Sequence, residues 1–103
     1  MSQNKNYLTC KKVKFHSFKD EAAFFWWIQQ IPCIEKCEAA GNELYLDLTK
    51  KNLNNKDLDE LIGLFYRYKI DMKQLAQFLT PANKSWFLDN KKAFWHKRVF
   101  GNS

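Results

Sequence analysis

Ile34-Glu35-Lys36-Cys37-Glu38-Ala39-Ala40-Gly41-Asn42-Glu43-Leu44-Tyr45-Leu46-Asp47-Leu48 is the stretch that separates this chain from an all-helical one. Leu44, Leu46 and Leu48 alternate with Tyr45, Asp47 and Thr49. A two-residue period is that of a strand with one wet face. Ile34–Ala39 supplies the other arm, and Gly41-Asn42 suits a two-residue hairpin turn.

Upstream, Leu8, Cys10, Val13 and Phe15 alternate loosely with lysines, which predicts a strand over Tyr7–Phe15 near a sheet edge. Ser17 is placed to cap a helix whose first turn holds Asp20 and Glu21, and Pro32 stops it beyond about Gln30. Helical spacing puts Phe24, Trp27, Ile28 and Ile31 on the core stripe, flanked by Phe18, Ala22 and Phe25. Trp26 falls on the far side. It is either half-covered by a loop or a contact residue, and the loop is the favoured reading.

Downstream, Asn54 to Gly101 falls into two linked halves. With Asn54 as N-cap, Asp57 occupies the third helical position, and Leu53 and Leu58 bracket the start as a hydrophobic staple. Leu58, Leu61, Ile62, Phe65 and Tyr68 form a helical stripe that Met72, Leu75, Ala76 and Leu79 continue. Asp71 followed by Gln74 repeats the capping logic, so a break is expected at Lys69-Ile70-Asp71, with Thr80-Pro81 ending the second helix. Beyond it, Ser85 is a candidate cap for a short turn through Leu88. Asp89 or Asn90 is a candidate cap for another covering Lys91–Val99, and Gly101 is a natural stop. The expected fold is therefore α+β in one domain of 103 residues. A small antiparallel sheet of about three strands packs against three to four helices.

The net charge of +6 is unevenly spread: residues 1–19 and 72–103 are basic and residues 20–71 mildly acidic. Such ends favour acidic partners, whether nucleic acid, anionic lipid or an acidic protein face, although charge also keeps a small protein in solution. Cys10, Cys33 and Cys37 make an odd set with no framework, which points to a reducing compartment. His16 and His96 are too scattered to complete a tetrahedral metal site with them. The polar start Met1–Asn6 lacks a following apolar run, and Ala22–Ile28 is far too short to span a bilayer, so a cytoplasmic protein is expected.

No nucleophile elbow, glycine-rich phosphate loop or paired-histidine motif is present, and Glu35, Glu38 and Glu43 are explained by a solvated hairpin edge. No enzyme activity, cofactor or metal is expected. Trp86, Phe87, Phe94 and Trp95 interleave with Lys84, Lys91, Lys92, Lys97 and Arg98. That pattern suits a stacking platform that tracks phosphates, but no named nucleic-acid module is legible. The competing reading has the aromatics clip the tail onto the core while the lysines face water. A small domain rich in Trp, Tyr and Phe without a reactive site also suits a dedicated protein binder.

Leu61 to Leu75, Asn83-Lys84-Ser85-Trp86-Phe87 and Lys91 to Gly101 together resemble the immunity proteins that accompany contact-dependent growth inhibition toxins of bacteria. The likeness covers roughly the second half of the chain. It implies stoichiometric binding to the C-terminal toxin domain delivered by a neighbouring cell, with no residue reacting. The partner-binding candidates are Lys91, Lys92, Trp95, His96, Lys97 and Arg98, with Asp57 and Glu60 at the acidic helix start. A small basic nucleic-acid-binding domain is the alternative. An inhibitor that plugs a phosphate-binding cleft is usually acidic, so either the acidic centre makes the contact or the basic tail meets an acidic toxin face.

Overall fold

A computed structural model describes residues 7–49 and 53–101; the polar start 1–6 lies outside the described residues. The elements run β1 (Tyr7–Lys11), α1 (Phe18–Gln29), β2 (Ile34–Ala40), β3 (Glu43–Leu48), α2 (Asn55–Arg67), a 3-10 helix (Met72–Phe78), α3 (Lys84–Phe87) and α4 (His96–Phe100). This is an α+β fold with a three-stranded antiparallel sheet in the order β1-β3-β2.

The hairpin forms where expected, but the expected wet face of its central strand does not, since Asp47 is buried between Leu46 and Leu48. Ala40 pairs with Glu43 across Gly41-Asn42, and Gly41 takes a φ of 64°, which glycine adopts without strain. Leu8, Cys10 and Leu46 are buried on the inner face of the sheet, whose rows are Leu8↔Leu46 and Cys10↔Leu44. A bulge between Ile34 and Lys36 shifts the register of β2. β1 stops at Lys11, short of the expected Phe15, because Lys12 turns to a φ of 53° and breaks the extended run. Val13 and Phe15 still pack on the core from the connection to α1.

Ser17 caps α1 by accepting the Asp20 amide proton at 3.1 Å, while Asp20 Oδ2 accepts from the His16 amide at 2.9 Å. Phe24, Ile28 and Ile31 are buried, and Trp27 sits at the rim of the core. Phe18 is 85% exposed, not the expected flank of the core stripe. It is the first residue of α1, beyond the reach of the sheet.

At α2, Asn54 Oδ1 accepts from the Asp57 amide at 2.8 Å, and both staple residues, Leu53 and Leu58, are buried. Burial of Leu64 beside Leu58, Leu61, Ile62 and Phe65 makes the apolar face wider than a simple stripe, as a helix needs when covered on more than one side. Gly63 leaves room for a side chain of α1: a Cβ there would lie 3.3 Å from the Trp27 ring.

The expected break falls at Lys69. Ile70 N–H donates to the Phe65 carbonyl at 2.9 Å and Lys69 N–H to the Tyr66 carbonyl at 3.4 Å, with Lys69 at a φ of 57°. This is a Schellman ending with a lysine in the position that usually holds glycine. The next element is a 3-10 helix rather than a second α-helix. Its buried residues are Met72, Leu75 and Phe78, spaced for three residues per turn. That period replaces the expected Leu79, which is exposed, with Phe78.

The tail also departs from expectation. Asn83, not Ser85, precedes α3, and it is buried with its Nδ2 donating to the Phe78 carbonyl at 3.0 Å. Lys91–Trp95 runs in turns, and α4 covers only His96–Phe100, so neither Asp89 nor Asn90 caps it. Gly101 ends α4 in an extended conformation, donating to the Lys97 carbonyl at 2.8 Å, and its lack of a Cβ permits that close approach.

The outer edge of β1 is closed by one side chain. Gln74 Oε1 accepts from the Thr9 amide at 2.9 Å and its Nε2 donates to the Thr9 carbonyl at 2.7 Å, as a neighbouring strand would. Replacing Gln74 with Ala is expected to cost about 1 kcal/mol in urea unfolding, since the partly buried Thr9 groups lose both partners. Lys69→Gly, by contrast, should raise stability by about 0.5–1 kcal/mol by relieving the left-handed lysine; a lower melting temperature would contradict this account of the turn.

Candidate functional site

The eight candidate residues do not converge. Trp95 is buried, its ring 5.6 Å from Phe87 and 6.2 Å from Trp86. His96 is half-buried with Nε2 2.7 Å from the Leu88 carbonyl, so that nitrogen carries the proton, and its ring lies 5.2 Å from Phe100. Trp86, Phe87, Trp95 and Phe100 therefore form the clip that holds the tail. Lys91 and Lys92 are exposed on the turn before α4. Lys97 and Arg98 face a different cleft from Asp57 and Glu60, at the opposite end of α2.

Phe94 leaves the clip. It is 65% exposed and meets Tyr66 edge-on at 4.7 Å, while the Arg98 guanidinium lies 4.7 Å from the centroid of the same Tyr66 ring. A cation over an aromatic face is held by the ring quadrupole. Lys69, Lys73 and Lys97 also line this cleft.

At the start of α2 a second groove opens against α1. Its lining includes Trp26, Trp27, Pro32, Lys56, Asp57, Asp59 and Glu60. Trp27 Nε1 donates to Glu60 Oε1 at 2.8 Å, which holds that carboxylate at the groove. Asp57 is itself almost fully buried at the base. Trp26 is 63% exposed, so the loop expected to cover it does not. Its place out of phase with Phe24 and Ile28 is the sequence signal for that exposure. Asp59, one residue before Glu60, joins the groove from the same acidic helix start.

Elsewhere, Asp20 is held below its ordinary 3.8, first by the His16 amide, then by the Tyr68 hydroxyl at 3.1 Å and by Arg67 at 3.8 Å, against the opposing effect of burial. Burial, with Cys37 nearby, pushes the Cys10 thiol up to about 12, and Cys10 and Cys37 remain thiols. A thiol so raised is a poor nucleophile at neutral pH. Among the described residues no group of three or more His, Cys, Asp or Glu is placed to hold a metal ion, and no helix is long and apolar enough to cross a membrane.

A carboxyl that is more acidic when folded adds stability above its unfolded value, and that stability is lost as pH falls through the folded one. The stability difference between the wild type and Asp20→Asn should therefore be largest near pH 6 and shrink toward pH 3. Thermal melts across that range check it, and a constant difference would remove Asp20 from the acid response.

Comparison with protein-family models, with curated proteins and with solved structures finds no match to this chain.

Proposed function

We propose that this chain is an immunity-type binding protein, which neutralises a cognate contact-dependent growth inhibition toxin domain by forming a stoichiometric complex in the cytoplasm of the protected cell. The observation that carries the reading is Trp26, a large aromatic 63% exposed beside the carboxylates of Asp59 and Glu60. Protein interfaces concentrate their free energy in a few aromatic anchors ringed by polar groups. Three carboxylates against one ammonium line this groove, so it suits a cationic partner face.

A toxin that acts on a phosphate-bearing substrate needs such a face, and an inhibitor seated there excludes the substrate without any chemistry of its own. The overall positive charge of the chain is compatible with this because the cations gather at the other end of α2. Opposite charges across the contact would speed association and favour the cognate pair.

The test is co-expression with the toxin domain encoded beside this chain, followed by calorimetric titration of the purified pair. Wild-type protein is expected to restore growth and bind at one to one. Trp26→Ala should weaken the complex by about 2 kcal/mol, roughly thirtyfold, with an unchanged melting temperature. Asp59→Lys with Glu60→Lys should slow association, whereas Lys91→Glu with Lys92→Glu should leave affinity as it was. Failure of the wild type to protect sinks the immunity reading; an intact complex with Trp26→Ala moves the interface off the groove.

A further inference from the structure

Cations from the two basic stretches of the sequence meet in space. Three clefts around the end of α2 share the lining residue Lys69. Lys12, Lys14 and Arg67 line the first, Lys11 and Lys73 the second, and Lys73, Lys97 and Arg98 the third. The Schellman turn is what makes this possible, because it projects Lys69 between the end of β1 and α4.

The belt is short of counter-charge. Its carboxylates are Asp20 and Asp71. Asp20 already accepts from the His16 amide and the Tyr68 hydroxyl, and Asp71 accepts from the Lys73 amide at 3.0 Å. Among the described residues, the ion pairs are Lys36 with Glu38, Arg67 with Asp20 and Lys84 with Asp89. So Lys11, Lys12, Lys14, Lys69, Lys73, Lys97 and Arg98 have no carboxylate partner among those residues. At the α4 end the belt carries two exposed rings, Phe94 and Tyr66.

We infer that this belt is a binding site for single-stranded nucleic acid, separate from the Trp26 groove. Cations strung along connected clefts follow a phosphate chain, which releases its condensed counterions on binding. An exposed ring at the end of such a track offers a stacking surface for an unpaired base, and any base can use it. A duplex keeps its bases stacked on one another and gains nothing from Phe94. An acidic protein segment would satisfy the charges but not the ring. The site is therefore one of low sequence preference, read through phosphate and stacking.

The experiment is a fluorescence-anisotropy titration of the full chain against a fluorescein-labelled, mixed-sequence single-stranded 20-mer of DNA. Micromolar binding at 50 mM KCl is expected, on the order of 1 μM, which salt weakens toward the ~10⁻⁴ M of non-specific association. Each engaged phosphate contributes about −0.7 to the slope of log affinity against log salt, so about five contacts weaken binding roughly a hundredfold by 200 mM. Lys69→Gln with Lys97→Gln should make that slope shallower by about 1.4 and lower affinity at least tenfold. Lys14→Gln with Arg98→Gln is the parallel pair at other positions of the belt, should the first fail to fold. Phe94→Ala should weaken binding about fivefold or more at an unchanged slope, and Trp26→Ala should leave it intact. No binding at 50 mM KCl overturns the inference, as does unchanged affinity in both charge pairs. Equal competition by polyglutamate, by vesicles rich in phosphatidylserine or by duplex of the same length overturns it too. None of these outcomes depends on the toxin, so this site and the Trp26 groove stand or fall separately.

Discussion

The second half of this chain is built on the hydrogen bond from the Ile70 amide to the Phe65 carbonyl. That bond closes α2, turns the chain back, and buries Ile70 against the same core that Phe65 enters. Because the next segment starts at that angle, the 3-10 helix reaches β1 and sets Met72, Leu75 and Phe78 inward. A continuous helix of the length the apolar stripe suggested would have carried these residues away from the sheet. The left-handed lysine costs about 1 kcal/mol, a small sum beside the burial it permits.

That turn also sorts the charge. α2 has Asp57 in its first turn and Arg67 in its last, the arrangement its own dipole favours. The rest of the chain extends the division. α1 brings Trp26 and Trp27 to the acidic end, while β1, the 3-10 helix and α4 bring lysines to the other. A net charge therefore says little about either face. A basic net charge is thus compatible with the cationic partner proposed above, because Asp57, Asp59 and Glu60 occupy a groove of their own.

Much of the fold was legible because local signals agreed with one another. The strand over Glu43–Leu48, the Ser17 and Asn54 caps and the interruption at Lys69 each follow from short-range stereochemistry, and each is found, although Asp47 is buried on the face that the alternation left to water. The tail was less legible. Its aromatics occur at nearly every spacing, so periodicity could not tell the buried Trp95 from the exposed Phe94 beside it. The 3-10 segment resembles an α-helix in sequence because Met72 and Leu75 fit both periods, and Phe78 against Leu79 is decided only by packing on α4 and α2. The candidate site suffered most. Clustering in sequence grouped Lys91 through Arg98, whereas the clefts draw one residue or two from each of several elements, a juxtaposition only the tertiary fold creates.

A sheet of three strands has two flanks, and an unguarded flank invites another chain to extend it. Here the two are shut by unlike devices. On β2 the bulge at Ile34/Lys36 and the alternating charges of Glu35, Lys36 and Glu38 spoil the template for pairing. On β1 a single amide stands in for a fourth strand. Sheet growth is thus blocked on one side by geometry and charge, and on the other by a side chain delivered from a distant helix. Release of the Gln74 side chain alone, with Met72, Leu75 and Phe78 still seated in the core, would turn β1 into an adhesive edge, so self-association is the failure to expect before unfolding is.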